Sequence, residues 1–400
     1  MAICPVPLNS NNVEVYYVKQ TECEALPENP VFKRISFVSG VPTIERETLQ
    51  SAEIDGGSEV TGVTLGSYSV TNEQGVELRA DVHDDLLAAC AQSDWVSGAT
   101  LASKDVVIDS SSKTATIAGE DLTGDIAVND RLYMPLLSGG NGEVLLVTDI
   151  SFSTDTVITF GAARIANPQT NRSGLSDETA VTDIKVSDKL TIGTNRQPIA
   201  ILIKYNDLPG PNNHQLVMDA EVVQFSFNPQ VNSIITGSFS VIGKTMASAQ
   251  PLPSGATLEP LLARKPMKGI DGAITQNGER LAFSDSMTFS LNRNGEASYE
   301  IGSKFMSHVD YDLATSEISV TSKFVNFDIQ LAFEEEEEVS YNFTASVDGN
   351  ALGWDWPVAL LTGVNRTVDS GSIPQELTLM PYKPPGSIST MVMHRVSRND

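Results

Sequence analysis

The chain has 400 residues, 40% of them apolar and 6% aromatic, enough to bury the cores of two or three domains and too apolar for a disordered chain. Asp and Glu number 51 against 26 Lys and Arg, giving a formal charge of −25 and a pI near 4.4, a balance that repels phosphate and argues against any grip on nucleic acid through Lys and Arg. Cys4, Cys23 and Cys90 are too scattered for a disulfide framework, the N-terminus lacks a secretory signal, and no run approaches the roughly 18 apolar residues that span a bilayer, so a soluble, unexported protein is expected.

Along the chain, short strands of alternating polarity dominate. The acidic stretch Ser51–Val60 lies between Thr48-Leu49 and Val63-Thr64-Leu65, and reads as the tip or wall of a long hairpin, with a merely solvated hairpin as the alternative. The strand Gly75–Ala80 leads into a predicted helix over Asp81–Gln92. There Asp81 can cap, Asp84 and Asp85 fill the first turn, and Leu86, Leu87, Ala89 and Cys90 form an apolar stripe. From about Ala99 to Arg196 come strands of a small separate barrel or sandwich: Thr114–Ile117, Asp130–Met134 and Glu143–Val147.

Further on, a Pro-rich loop runs from Pro251 to Pro266, and Met287–Leu291 and Phe327–Phe333 alternate as strands do. Turn dipeptides recur at Asp55-Gly56, Asn141-Gly142, Asp271-Gly272, Asn277-Gly278, Asn294-Gly295 and Asp348-Gly349. The run Glu334, Glu335, Glu336, Glu337, Glu338 follows, and then Val339, Phe343 and Val347 fall four apart, as on one helix face. The five carboxylates therefore read as the first turn of a second helix, with a weak cation site as the alternative and the surplus charge facing a cation of an adjoining subunit or water.

Two matches suggest a duplicated unit. Asp84-Asp85-Leu86 and Glu337-Glu338-Val339 lie about 253 residues apart, and Glu221–Pro229 and Glu376–Pro384 about 155 apart, leaving roughly 98 residues extra in the first copy. The expected organisation is a first copy over 1–98 and 196–250, an inserted small β domain over 99–195, and a second copy over 251–400.

Chemistry is sparse. His83, His214, His308 and His394 share no ligand spacing, and no nucleophile elbow, phosphate loop or dinucleotide fingerprint occurs, so no enzyme, cofactor or metal is expected.

The segments Asn29–Ile35 and Glu45–Ile54, the strand leading into Asp84–Ala89 and Trp95, Phe225–Asn228 with Gly237–Gly243, Ile270–Gly272, and the closing strands from Ser372 to Val396 resemble the major tail tube proteins of bacteriophages with long, non-contractile tails. The resemblance covers both halves outside the insertion. It implies a mainly β fold, a sandwich with long lumen-forming hairpins and a short flanking helix. It also implies stacked rings, of three chains with pseudo-sixfold symmetry if the unit is duplicated and of six otherwise, forming a virion tail made in the host cytoplasm. DNA would be cargo rather than ligand, and the other partners would be tape measure, tail terminator and tail tip proteins, with no membrane. Glu47, Glu53, Asp55 and Glu59 are the lumen-lining candidates, with Ser58 and Thr61 as neutral neighbours, and the insertion would sit outside the tube. Other virion β-proteins (a capsid decoration or tail terminator protein) and a carbohydrate-binding module are the competing readings.

Overall fold

The computed structural model of the chain describes residues 7–52, 62–137, 143–160, 177–281, 283–368 and 371–398. Its strands are β1 (Val13–Lys19), β2 (Val31–Arg34), β3 (Thr43–Gln50), β4 (Val63–Glu77), β5 (Thr100–Asp109), β6 (Thr114–Ala118), β7 (Arg131–Met134), β8 (Glu143–Phe152), β9 (Asp155–Phe160), β10 (Glu178–Val186), β11 (Asp188–Thr191), β12 (Ile199–Tyr205) and β13 (His214–Asn228). They continue as β14 (Thr236–Gly243), β15 (Thr245–Gln250), β16 (Thr257–Leu258), β17 (Gly272–Gln276), β18 (Glu279–Arg280), β19 (Ser284–Asn292), β20 (Gly295–Tyr299), β21 (Met306–Tyr311), β22 (Thr315–Lys323), β23 (Glu338–Val347), β24 (Asn350–Arg366), β25 (Pro374–Pro381) and β26 (Val392–Val396). Among the described residues the α-helices α1 (Asp84–Ala91) and α2 (Asp328–Glu334) complete the outline of a mainly β protein.

One antiparallel sheet organises the molecule. Its strands lie side by side in the order β3, β4, β14, β13, β19, β22, β25, β24. The pairing repeats within it: β3-β4-β14-β13 has the connectivity of β19-β22-β25-β24, and the β13–β19 contact joins the two sets. Each set continues into a second layer through its long strand. The first half of β13 pairs with β12 and β15, and the first half of β24 pairs with β23 and β26. β1 with β2, and β17 with β18, then extend these layers in the same way.

The correspondence holds at single residues, because irregularities mark equivalent places. The β12–β13 ladder shifts between Ile199 and Ile201, and the β23–β24 ladder between Val339 and Tyr341. The β13–β14 ladder shifts between Val222 and Gln224, and the β24–β25 ladder between Leu361 and Gly363. Bulges fix register, so coincident bulges align the two sets.

The layers enclose one continuous apolar core, with Phe225, Phe227, Phe239, Phe289, Phe343, Trp354 and Trp356 in ring contact across its middle. Strands β5 to β10 close a separate six-stranded barrel with its own core around Val106, Ile117, Leu132, Leu145 and Ile158.

Several sequence expectations are corrected. Asp81 does not cap α1: it sits in the left-handed region at φ 61° and pairs with Arg264 at 2.5 Å, while His83 holds the N-cap position without a side-chain bond. Phe327–Phe333, read as a strand, lies in α2 and its cap, and Val339–Val347, read as a helix face, is strand β23. The acidic run Glu334, Glu335, Glu336, Glu337, Glu338 therefore closes a helix at its C-terminal end and does not begin one. Both repeat offsets fall with it, since the counterpart of Glu221–Asn228 is in β24 and not in β25. Asn277-Gly278 and Asp348-Gly349 do form tight turns with positive φ at both residues, whereas Asp271-Gly272 lies where a short 3-10 turn meets β17. Asp55-Gly56 and Asn141-Gly142 lie outside the described residues.

Candidate assembly surface and channel face

Strand alternation gives the long sheet two unlike faces. One packs into the core. The other is a field of small hydroxyl and amide side chains, because opposed residues share a face. One row across it runs Gly75, Ser238, Ser226, Ser290, Glu317, and another runs Thr288, Ser319, Thr378, Gly363. Ser226 and Ser238 hydroxyls are 3.2 Å apart across the strands. The charged side chains of this face are mostly carboxylates, Glu73, Glu77, Glu317 and Glu376, with Lys323 at one end.

The sheet ends in two edges. Among the described residues β3 pairs with β4 on one side only, and the last turn-ward stretch of β24, Thr362–Arg366, pairs with β25 on one side only. All eight residues of β3 are exposed. The counterparts of these edges inside the chain are already joined: Phe225 lies opposite Leu291 and Ser226 opposite Ser290. Unpaired edges of this kind invite another strand.

The barrel is fastened to the body by buried charges. Arg131 donates from Nη1 and Nη2 to the two carboxylate oxygens of Asp355 at 2.6 and 2.7 Å, and from Nε to Thr344 at 3.0 Å. Asp355 also accepts from Asn342 and lies 2.9 Å from His394 Nε2, whose Nδ1 meets Ser187. Burial alone would raise the Asp355 pKa, but Arg131 and His394 hold it below the ordinary carboxylate value. Burial, with Arg131 nearby, lowers that of His394. Gly353 leaves room for the guanidinium, since a Cβ there would stand 2.5 Å from Arg131 Nε. Beside it, within the body, Arg395 of β26 ties the start of α1 to β11 by reaching both Asp84 and Asp188 at 2.8 Å.

Of the predicted lumen residues, Glu47 is exposed on β3, and Glu53, Asp55 and Glu59 lie outside the described residues, as do Ser58 and Thr61. The five glutamates, Glu334 to Glu338, stand apart from the hydroxyl face, at the end of α2. The hydroxyl face escaped sequence reading because alternating Ser and Thr mark any solvated sheet surface. Only pairing across eight strands makes it one surface. Among the described residues no group of three or more His, Cys, Asp or Glu is placed to hold a metal ion, and no helix is long and apolar enough to cross a membrane.

A family model described as phage tail tube protein matches residues 10–385. No curated protein matches the chain.

Proposed function

Because the chain belongs to the phage tail tube protein family, a structural component of the virion that assembles into a tube with other tail proteins, we propose that each chain carries two tube units and that three chains close one ring of pseudo-sixfold symmetry. The β13–β19 joint carries this reading. It supports the reading because β19 pairs with the long strand β13 inside one molecule, and β3 and the end of β24 are the matching open edges among the described residues.

In the ring, β3 of each chain continues the sheet of its neighbour along Thr362–Arg366. By the register of the internal joint, Ile44 falls opposite Val364 and Thr43 opposite Asn365. A sheet closed in this way has no edges left. Its core face points outward into the sandwich layers, and its hydroxyl face lines the channel.

Such a lining suits passage of DNA from capsid to cell. Serine, threonine and carboxylate side chains offer phosphate no counterion to displace, so the polymer is neither gripped nor stalled. Glu45, opposite Ser69 in the β3–β4 ladder, joins this face as an acidic residue beside the proposed lumen candidates. The barrel, tied to β24 and β26 behind the core, lies outside the channel. Rings stack head to tail into a tail of the long, non-contractile type, with tape measure, terminator and tip proteins at the lumen and ends. Mass photometry of the purified chain tests the stoichiometry: a ring mass of three chains supports the duplication and six chains refutes it.

A further inference from the structure

The internal joint is held at its rim by an arginine. Arg293 directly follows β19, and its Nη2 donates to Oε1 of Gln92 at 2.6 Å. Gln92 closes α1 in the left-handed conformation, at φ 53°. The Arg293 guanidinium lies 5.8 Å from the centre of the Tyr311 ring. A cation thus sits against a helix C-terminus, where the helix dipole favours positive charge.

Both members of this contact have counterparts at the open edges. The aligned ladders make Ile44 the counterpart of Leu291, and so Arg46 that of Arg293. Arg46 lies 5.1 Å from the centre of the Tyr68 ring, and the β3–β4 register breaks directly after it. Glu336 is the counterpart of Gln92: it follows the last turn of α2 at φ 54°. Here the surroundings differ. Glu334 to Glu338 crowd a helix end that has no basic residue in its last turn. Among the described residues Glu335, Glu336 and Glu337 make no side-chain hydrogen bond or ion pair. Carboxylates in this place oppose the helix dipole and repel one another, an arrangement that a cation from outside would relieve.

We propose that Arg46 of the partner subunit docks against Glu336, making between chains the contact that Arg293 makes with Gln92 within one. The inference rests on the reading that β3 of one chain extends β24 of the next. It assigns the glutamate run a purpose: Glu336 receives the arginine, the one cation of β3 between Glu45 and Glu47. The partner is a second copy of this chain.

Charge reversal tests the pairing. The wild-type chain, Arg46→Glu, Glu336→Arg and the double variant are compared by mass photometry over a concentration series, with circular dichroism melts of the unassembled chains as a check on folding. Each single variant should fold normally and raise the concentration needed for rings at least tenfold, and the double variant should recover most of that loss. Rings of wild-type strength from both single variants, or single-variant defects that the double variant does not relieve, would overturn the pairing while leaving the ring itself intact. Failure of the wild-type chain to form rings would instead overturn the assembly reading beneath it.

Discussion

Ile44 and Leu291 occupy the same register position in two hairpins of one chain, yet Ile44 is 43% exposed and Leu291 fully buried. Leu291 is covered because the hairpin that carries it is docked on β13, opposite Phe225. Ile44, with Leu49, Val63 and Leu65 on the same hairpin, leaves apolar surface exposed that the proposed ring contact would cover.

The two positions should therefore respond differently to mutation. Leu291→Ala is expected to destabilise the isolated chain by about 2–5 kcal/mol, the usual cost of emptying a core site. Ile44→Asp should leave the melting curve of the isolated chain unchanged and abolish rings. Denaturant unfolding and size-exclusion chromatography separate the two effects.

The hydroxyl face predicts how the channel fails. Ser226→Lys with Ser290→Lys places two ammonium groups on adjacent strands of the face proposed to line the channel. Rings should still form, since neither residue touches the core or an edge. Single-stranded and duplex DNA should then bind to them in a salt-dependent manner absent from the wild type, because lysine releases condensed counterions. Fluorescence anisotropy at two salt concentrations reads the difference.

The barrel's attachment depends on a buried pair. Arg131→Met leaves Asp355 without its guanidinium and His394 beside an uncompensated carboxylate, and should cost about 3–5 kcal/mol. Gly353→Val should fail for the opposite reason, by filling the space the guanidinium occupies. In both variants limited proteolysis should cut first between the barrel and β11, near the severed contact.

Acid stability has two opposing contributors at the start of α1. Burial lowers the His83 pKa to about 4, so the stability it lends is complete above its ordinary value of 6.5 and is lost as pH falls from 6.5 towards 4, on the order of 3 kcal/mol. Burial raises Asp84 to about 6 despite Arg395, so its ionisation costs stability above that value and relief comes as pH falls from 6 towards 4. Relative to the wild type, His83→Gln should lose less stability on acidification through this window and Asp84→Asn should lose more. Urea titrations at pH 7, 5.5 and 4.5 give the slopes.

Much of the fold is legible in the sequence because period-two alternation is unambiguous where it runs long, as in Met287–Leu291. The exchange around the glutamates shows where it is not. Phe327, Ile329, Leu331 and Phe333 alternate, but α2 buries only one side and leaves Phe327 and Leu331 in the open, so alternation there carries no pairing. Val339, Phe343 and Val347 lie four apart, a spacing that falls on one face of a strand as well as of a helix. The burial of Tyr341 and Ala345 between them decides for the strand. The hydroxyl face was not legible at all, since only the pairing across eight strands gathers these side chains onto one surface. Nor was the Arg131–Asp355 joint, whose partners are brought together only by the fold.

Electron cryo-microscopy of assembled tubes at side-chain resolution tests the central claim most directly. Rings of three chains are expected, the two hairpins of each related by a pseudo-sixfold step, with Ile44 of one chain opposite Val364 of the next and Ser226, Ser238 and Ser290 facing the channel. Rings of six chains, or a channel lined by any other face of this sheet, would contradict it.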